Sequence, residues 1–294
     1  SINLPYAALE SEGDMDKFWD ILDGKLELAR QVCEIRYEKL RGVKASVAPI
    51  LWQHGAIARL NPDDDVLKAV DERGFTVTVG YSGLYETVKY LTGESHTTER
   101  GFELAEKIMK YLRDKLLVFK EKQPHLRFAL YGTPQESTTG WFSERLKKRF
   151  GEIKDITDKG WITNSYHVDI RENIDAFTKL NIESILQEYS TGGAVSYVET
   201  DPLYKNPDAV LMLFEHMYET IIYSEINFES DVCGVCKYSG IMENNPENLE
   251  WYCPACGNHD QTKLSVVRRT CGYLGETVWT KGRMLDILNR VKHL

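Results

Sequence analysis

Apolar positions recur at helical spacing in several long stretches of the chain and cluster into short dense runs between them. From about Asp14 to Arg41, Phe18, Trp19, Leu22, Leu26, Ala29, Cys33 and Ile35 form one apolar stripe, and Asp14 and Asp16 suit the start of a helix. Phe75 to Val79 predicts a strand that ends in the turn Gly80-Tyr81-Ser82-Gly83, and a second long helix is expected from about Thr98 to Lys122. Arg127 to Tyr131 predicts another strand, Gly132 to Thr139 a turn-rich loop, and Ser143 to Phe150 a helix. The alternation then repeats. Ile174 to Tyr189 is expected to be helical, Gly192-Gly193 to stop it, and Ala194 to Glu199 to form a strand. Asn206-Pro207-Asp208 opens a helix expected to run to about Ser224, with Pro at an early helical position. Strands alternating with helices imply an α/β architecture with parallel strands. No internal repeat or low-complexity tract interrupts the pattern, which gives way to turn-rich knuckles beyond about residue 229.

Length and charge narrow the function classes. The 294 residues, 42% hydrophobic, suffice for one large domain or two ordinary ones. Acidic residues outnumber basic ones by 45 to 36, for a formal charge of -9. That balance argues against a broad nucleic-acid-binding surface but leaves room for a local phosphate site. No apolar run approaches the roughly 18 residues of a membrane helix, and no secretory signal opens the chain. A soluble, cytoplasmic protein with no membrane partner is expected.

Four of the six cysteines form two C-x-x-C pairs, Cys233-Gly-Val-Cys236 and Cys253-Pro-Ala-Cys256, separated by 16 residues. Each knuckle lets two thiolates converge on one ion, and two knuckles complete a tetrahedral S₄ shell, so structural Zn²⁺ is expected. Sulfur ligation alone leaves iron open. Four protein ligands leave no position for substrate, so such a metal holds structure. Cys33 falls on the apolar face of a helix and reads as a core residue. His54, His167 and His216 lack the neighbours that a catalytic base requires and read as packing or surface residues.

The loop after Tyr131 follows one expected strand and precedes an expected helix. Hydroxyls of Thr133, Ser137 and Thr138, with the helix's first N–H groups, can face an anion at the strand's carboxyl end. Glu136 is a poor direct phosphate ligand because of its charge; it suits a ribose contact or an orienting role. Asn3 can both donate and accept hydrogen bonds, which makes it a candidate pocket residue.

The most unusual segment is Arg268-Arg269-Thr270-Cys271-Gly272-Tyr273-Leu274-Gly275, followed by Gly282-Arg283-Met284 and Arg290-Val291. Coming after a four-cysteine site, it resembles the C-terminal signature of anaerobic (class III) ribonucleoside-triphosphate reductase, a glycyl radical enzyme. Ser1-Ile2-Asn3-Leu4-Pro5, Tyr131 to Thr138, Thr163 to Val168 and Gly192-Gly193 are similar to further segments of that family, in the same order. Pyruvate formate-lyase has a related loop but lacks the preceding zinc site. The resemblance implies that Gly272 carries the radical. Glycine suits that role, because a planar α-carbon radical is delocalised into both flanking amides and has no Cβ to crowd it.

The family fold implied is a ten-stranded α/β barrel, of which this chain is the second half. Residues 1–229 would belong to the barrel, 230–262 to the zinc-binding region, and 263–294 to the glycyl radical loop and tail. The resemblance further implies reduction of ribonucleoside triphosphates by glycyl/thiyl radical chemistry. A radical-SAM activase with a [4Fe–4S] cluster and S-adenosylmethionine would install the radical. Formate would be the reductant, with Asn3 near the ribose and formate, Tyr131 near the radical centre and residues 133–138 at the phosphates. The cysteine that becomes the thiyl radical lies before this chain begins, so an upstream half is an expected partner, within a homodimer of the full enzyme. A split gene, a piece left after intein removal and a truncated chain would each begin at Ser1. Cys271, beside Gly272, is left unassigned. Two competing readings are a glycyl radical enzyme acting on another substrate and a non-enzymatic zinc-ribbon interaction module.

Overall fold

The computed structural model describes residues 1–294 except 136, 246, 270–273 and 277–278, and except the side chains of residues 72, 73, 205, 274 and 276. Three parallel strands form its first sheet in the order β1 (Ile2–Asn3), β2 (Val77–Ser82), β3 (Phe128–Tyr131). A second parallel pair joins β4 (Ser196–Glu199) to β5 (Ser224–Asn227). Parallel neighbours require crossovers, and helices supply them, Leu84–Thr92 and Glu99–Lys122 between β2 and β3, and Pro207–Thr220 between β4 and β5.

The ladder continues past β3 through irregular chain. Gly192 N donates to Leu130 O at 2.6 Å, and Gly132 N donates to Gly193 O at 2.9 Å. Gly192-Gly193 therefore does more than stop a helix: it lies beside β3 and leads into β4. A Cβ on Gly192 would stand 2.9 Å from the Leu130 carbonyl oxygen, so the close approach requires glycine.

Caps explain most helix boundaries. Asp14 Oδ1 accepts from Lys17 N at 3.0 Å and opens Met15–Glu38; Thr98 Oγ1 accepts from Gly101 N at 3.2 Å and opens Glu99–Lys122. Gly74 and Gly93 close their helices in the left-handed region, at φ 70° and 79°. The largest core packs Phe18, Leu22, Leu26, Leu84, Ile108, Met109, Leu112 and Leu116 against β2 and β3, with Cys33 at its edge.

Four expectations need correction. The opening Ser1-Ile2-Asn3-Leu4-Pro5, strand-like in its sequence, is a strand only through Asn3, and Leu4–Glu10 is helical because Asn3 caps it and Pro5 fits its first turn. β2 runs on through Ser82, since only Gly83, at φ 79°, turns the chain. The helix expected from Ser143 begins at Thr138, five residues earlier. The helix opened by Asn206 ends at Thr220, and residues Ser224–Asn227 form β5, a strand the apolar pattern did not separate from the helix before it. Ile35, at the end of the apolar stripe on the helix Met15–Glu38, is 56% exposed. No described helix is long and apolar enough to cross a membrane.

Candidate functional site

Because β1, β2 and β3 are parallel, Asn3, Ser82 and Tyr131 stand at the same, carboxyl, ends of neighbouring strands. Crevices at such ends are where α/β sheets bind ligands. Asn3 is half-buried, and its Oδ1 accepts from Tyr6 N at 3.3 Å, capping the helix Leu4–Glu10. Tyr131 is half-buried as well, and its carbonyl accepts from Thr133 N at 2.8 Å and Thr133 Oγ1 at 3.3 Å. The Thr133 hydroxyl occupies the space that a Cβ on Gly80 would need, close to Ser1 Oγ. Ser137 is exposed and directly precedes the helix Thr138–Phe150, without making a side-chain cap. The first-turn N–H groups of that helix thus stand at the loop without a side-chain partner from Ser137, a disposition suited to an anion. Glu136 lies outside the described residues.

The neighbouring segment is fixed by buried charge. Lys159 is fully buried, with its Nζ 2.5 Å from Glu86 Oε1 and ion-paired to Asp169. Thr163 N donates to the same Glu86 oxygen at 2.7 Å. Burial opposes the charge on Lys159, but Glu86 and Asp169 outweigh it and raise its pKa. Asn164 Oδ1 accepts from Gln135 N at 3.0 Å, tying this segment to the 133–138 loop. His167 is buried between the rings of Tyr166 and Tyr197, and burial lowers its pKa to about 4. It is a neutral packing residue, as its sequence neighbourhood suggested. His216 packs its ring edge-on against Phe177.

The four cysteines of the two knuckles converge, with all four sulfur atoms within 4.8 Å of one another. Cys233 and Cys256 sulfurs are 3.8 Å apart, and those of Cys236 and Cys253 are 3.6 Å apart. A tetrahedral ion with metal–sulfur bonds of about 2.3 Å separates its sulfurs by about 3.8 Å, so the arrangement fits a metal such as zinc. Electrostatics agree. Backbone N–H groups of Cys236 and Val235 lower the Cys233 thiol to about 6. The Asn258 N–H favours a Cys256 thiolate too, yet the sulfurs of Cys236, Cys253 and Cys233 push that thiol up to about 12. Four adjacent thiolates need a cation among them.

Past the knuckles, strands Val267–Arg269 and Leu274–Glu276 pair antiparallel, with Arg269 opposite Leu274. Gly272 and Cys271 lie between them in sequence, outside the described residues. The tail then returns to the first two-thirds of the chain. Helix Lys281–Leu288 packs on the helix Thr138–Phe150, Val291 N donates to Ile170 O at 2.9 Å, and His293 N donates to Glu199 O at 2.7 Å.

The family model described as anaerobic ribonucleoside-triphosphate reductase matches residues 1–293. The chain belongs to this family. It is 36% identical over 301 residues to the anaerobic ribonucleoside-triphosphate reductase of Escherichia coli K12, covering 100% of this chain and 42% of that protein. The protein of the same name from Enterobacteria phage T4 is 34% identical over 301 residues, covering 100% of this chain and 48% of that one. The chain thus spans less than half the length of these relatives. Among solved structures, an anaerobic ribonucleotide reductase superposes with a TM-score of 0.70 at 19% identity, over 99% of this chain and 44% of that one. The Thermotoga maritima anaerobic ribonucleotide reductase with glycerol in the active site gives 0.64 at 20% identity, over 98% and 42%. At those identities the likeness is one of fold.

Within this reductase-family chain, the arginines of the tail form a network that sequence reading left without a role. Arg283 and Arg290 had stood out in the sequence, but their partners, Gln135, Asp286, Glu199 and Arg269, lie up to 148 positions away. The Glu86–Lys159–Asp169 cluster left no signal in the sequence, since its members sit in three separate segments.

Proposed function

We propose that this chain is the radical-bearing C-terminal part of an anaerobic ribonucleoside-triphosphate reductase and requires an upstream part that carries the thiyl-forming cysteine. The observation that carries the reading is the succession, on one chain of this family, of a four-sulfur cluster, the strand-flanked segment containing Gly272, and a tail that returns to the substrate-facing loops. Residues 1–229 are assigned to the second half of a ten-stranded barrel, 230–262 to a zinc-binding region and 263–294 to the radical loop and tail. The parallel strands β1 to β5, with their carboxyl-end residues, support the barrel assignment.

The reaction replaces the ribose 2′-hydroxyl by hydrogen: a ribonucleoside triphosphate, formate and a proton give the deoxyribonucleoside triphosphate, carbon dioxide and water. Gly272 stores the unpaired electron, installed by a radical-SAM activase. Thr133, Ser137 and Thr138, with the first N–H groups of the following helix, hold the triphosphate; Glu136 orients the loop or meets the ribose. Asn3 contributes its amide NH₂ to the ribose or formate while its oxygen caps the helix behind it. Tyr131 lines the pocket near the radical centre. Zn²⁺ on Cys233, Cys236, Cys253 and Cys256 is the fixed base of the radical loop. The complete enzyme acts as a cytoplasmic homodimer.

An anaerobic EPR spectrum tests this, recorded after this chain is combined with its upstream part, activase, S-adenosylmethionine and reductant. A glycine-centred doublet, lost in Gly272→Ala, followed by formate-dependent deoxynucleotide formation, is the expected result. No doublet from a demonstrably active activase, or a doublet that survives Gly272→Ala, overturns the assignment.

A further inference from the structure

The tail helix grips the phosphate loop at one end and the stem of the radical loop at the other. Arg283 is 2% exposed, and its Nη2 donates to the backbone carbonyl of Gln135, at 2.5 Å, and reaches Thr139 Oγ1 at 3.4 Å. Its Nη1 pairs with Asp286. The other oxygen of Asp286 accepts from Arg290 Nε at 2.9 Å. Arg290 Nη1 in turn meets Glu199 Oε1, at the end of β4, at 3.1 Å, and donates to the carbonyl of Arg269 at 2.8 Å. Arg269 is the last described residue before the segment that contains Gly272. One run of side chains, Arg283–Asp286–Arg290, therefore connects the backbone of the 133–138 loop to the backbone at the entrance of the radical loop.

The packing beneath this run admits little play. A Cβ on Gly282 would stand 2.7 Å from the Cα of Gly140 and 2.9 Å from the Gly160 carbonyl oxygen. The tail helix and the helix that follows the phosphate loop thus touch backbone to backbone, and a shift of one is passed to the other. The charges complete the argument. Among the described residues, Arg283 pairs with Asp286, and Arg290 pairs with Asp286 and Glu199. A triphosphate in the loop would add negative charge beside the Arg283 guanidinium, in a buried setting where such interactions are screened least.

We propose that Arg283 is a positioning residue that couples triphosphate binding in the 133–138 loop to seating of the radical-bearing tail. Each event favours the other, because a coupling free energy between two sites is reciprocal. The device rests on the reading of residues 133–138 as the triphosphate loop. It makes the closed tail a consequence of a loaded substrate site and keeps an unloaded enzyme's tail easier to release.

Hydrogen–deuterium exchange on the reconstituted enzyme, with and without CTP, tests the coupling. CTP is expected to slow exchange in residues 132–140 and, through Arg283, to slow it ~5-fold or more in residues 281–288. In Arg283→Gln the first protection persists and the second disappears, whereas Arg283→Lys, which keeps the charge, restores part of it. Gly282→Ala leaves the guanidinium in place but wedges the helices apart; it too is expected to keep loop protection and lose tail protection. Tail protection that is equal in Arg283→Gln and wild type, or absent in wild type while the loop is protected, overturns the coupling alone. Absence of any CTP protection in 132–140 of the wild type overturns the loop reading and the coupling with it.

Discussion

At the scale of single residues, the decisive feature is how much charge this protein buries next to its candidate site. Lys159 is surrounded by Glu86, Asp169 and Thr163, with no exposure of its side chain. Removing one partner of such a cluster leaves the others desolvated and uncompensated. Lys159→Met is expected to cost about 3–5 kcal/mol, read as a lower urea midpoint with an unchanged slope. The histidines set a second expectation. Burial lowers His96 and His167 to about 4 from an ordinary 6.5, and lowers His293 in the same direction. The folded state therefore binds fewer protons than the unfolded one. Their contribution is complete above about pH 6.5 and is lost as the pH falls toward 4. Asp169 and Glu183 are held low as well: burial opposes this, but Lys159 and Arg171 at the first, and Lys179 and His167 at the second, prevail. Those carboxylates lose their contribution only below their ordinary values of 3.8 and 4.5. A fall in urea midpoint between pH 7 and pH 5 is thus assigned to the histidines, and His96→Phe is expected to flatten it. An equal slope in that variant would remove His96 from the account.

Among elements, the informative contrast is between boundaries set by a local cap and those set by a distant neighbour. Asp14 and Thr98 cap their helices with their own side chains, and both helix starts were legible in the sequence. Asp14→Ala is expected to cost about 1 kcal/mol, the usual loss for an N-cap. Gly192 is different: its neighbour is the Leu130 carbonyl, 62 positions away in the chain. Gly192→Ala is expected to cost about 1–3 kcal/mol as the backbone yields to the new methyl. Amide exchange should accelerate at Gly132 and Gly192, which bridge β3 to the approach to β4, while the β1–β2 pairing stays protected. The late start predicted for the helix Thr138–Phe150 has the same origin. Ser137, Thr138, Thr139 and Gly140 are poor helix formers, and the chain is helical there because Gly140 meets Gly282 and Ile162 N donates to the Thr139 carbonyl.

Across the whole molecule, the four-cysteine cluster and the tail share one core. Cys233, Met242, Trp251, Cys253, Leu264 and Val266 pack with Met284 and Ile287 of the tail helix. A metal at the cluster therefore supports the helix that carries Arg283. Cys253→Ser is expected to lower bound metal, by elemental analysis, from one equivalent to a small fraction, and to expose Trp251, read as a red-shifted tryptophan emission. Exchange protection of the larger core around Phe18, Leu22 and Met109 should be unchanged. Full metal retention in that variant would remove Cys253 from the ligand set.

Local chemistry carried the alternation of helices and strands, the caps, the paired knuckles and the family signature around Gly272, because each depends on residues close together in sequence. Hydrophobic period marked the long helices but could not reveal β5, since Ser224-Glu225-Ile226-Asn227 carries a single apolar residue and only pairing with β4 makes it a strand. The role of Asn3 as a cap, the joining of Gly192 to β3 and the burial of Lys159 were likewise settled by neighbours far along the chain. So was the bridge from Gln135 through Arg283 and Arg290 to Arg269. The sequence by itself determined the family and the four-cysteine set; the tertiary structure alone decided which loops the buried charges connect, because a buried charge finds its partner through space and not through sequence.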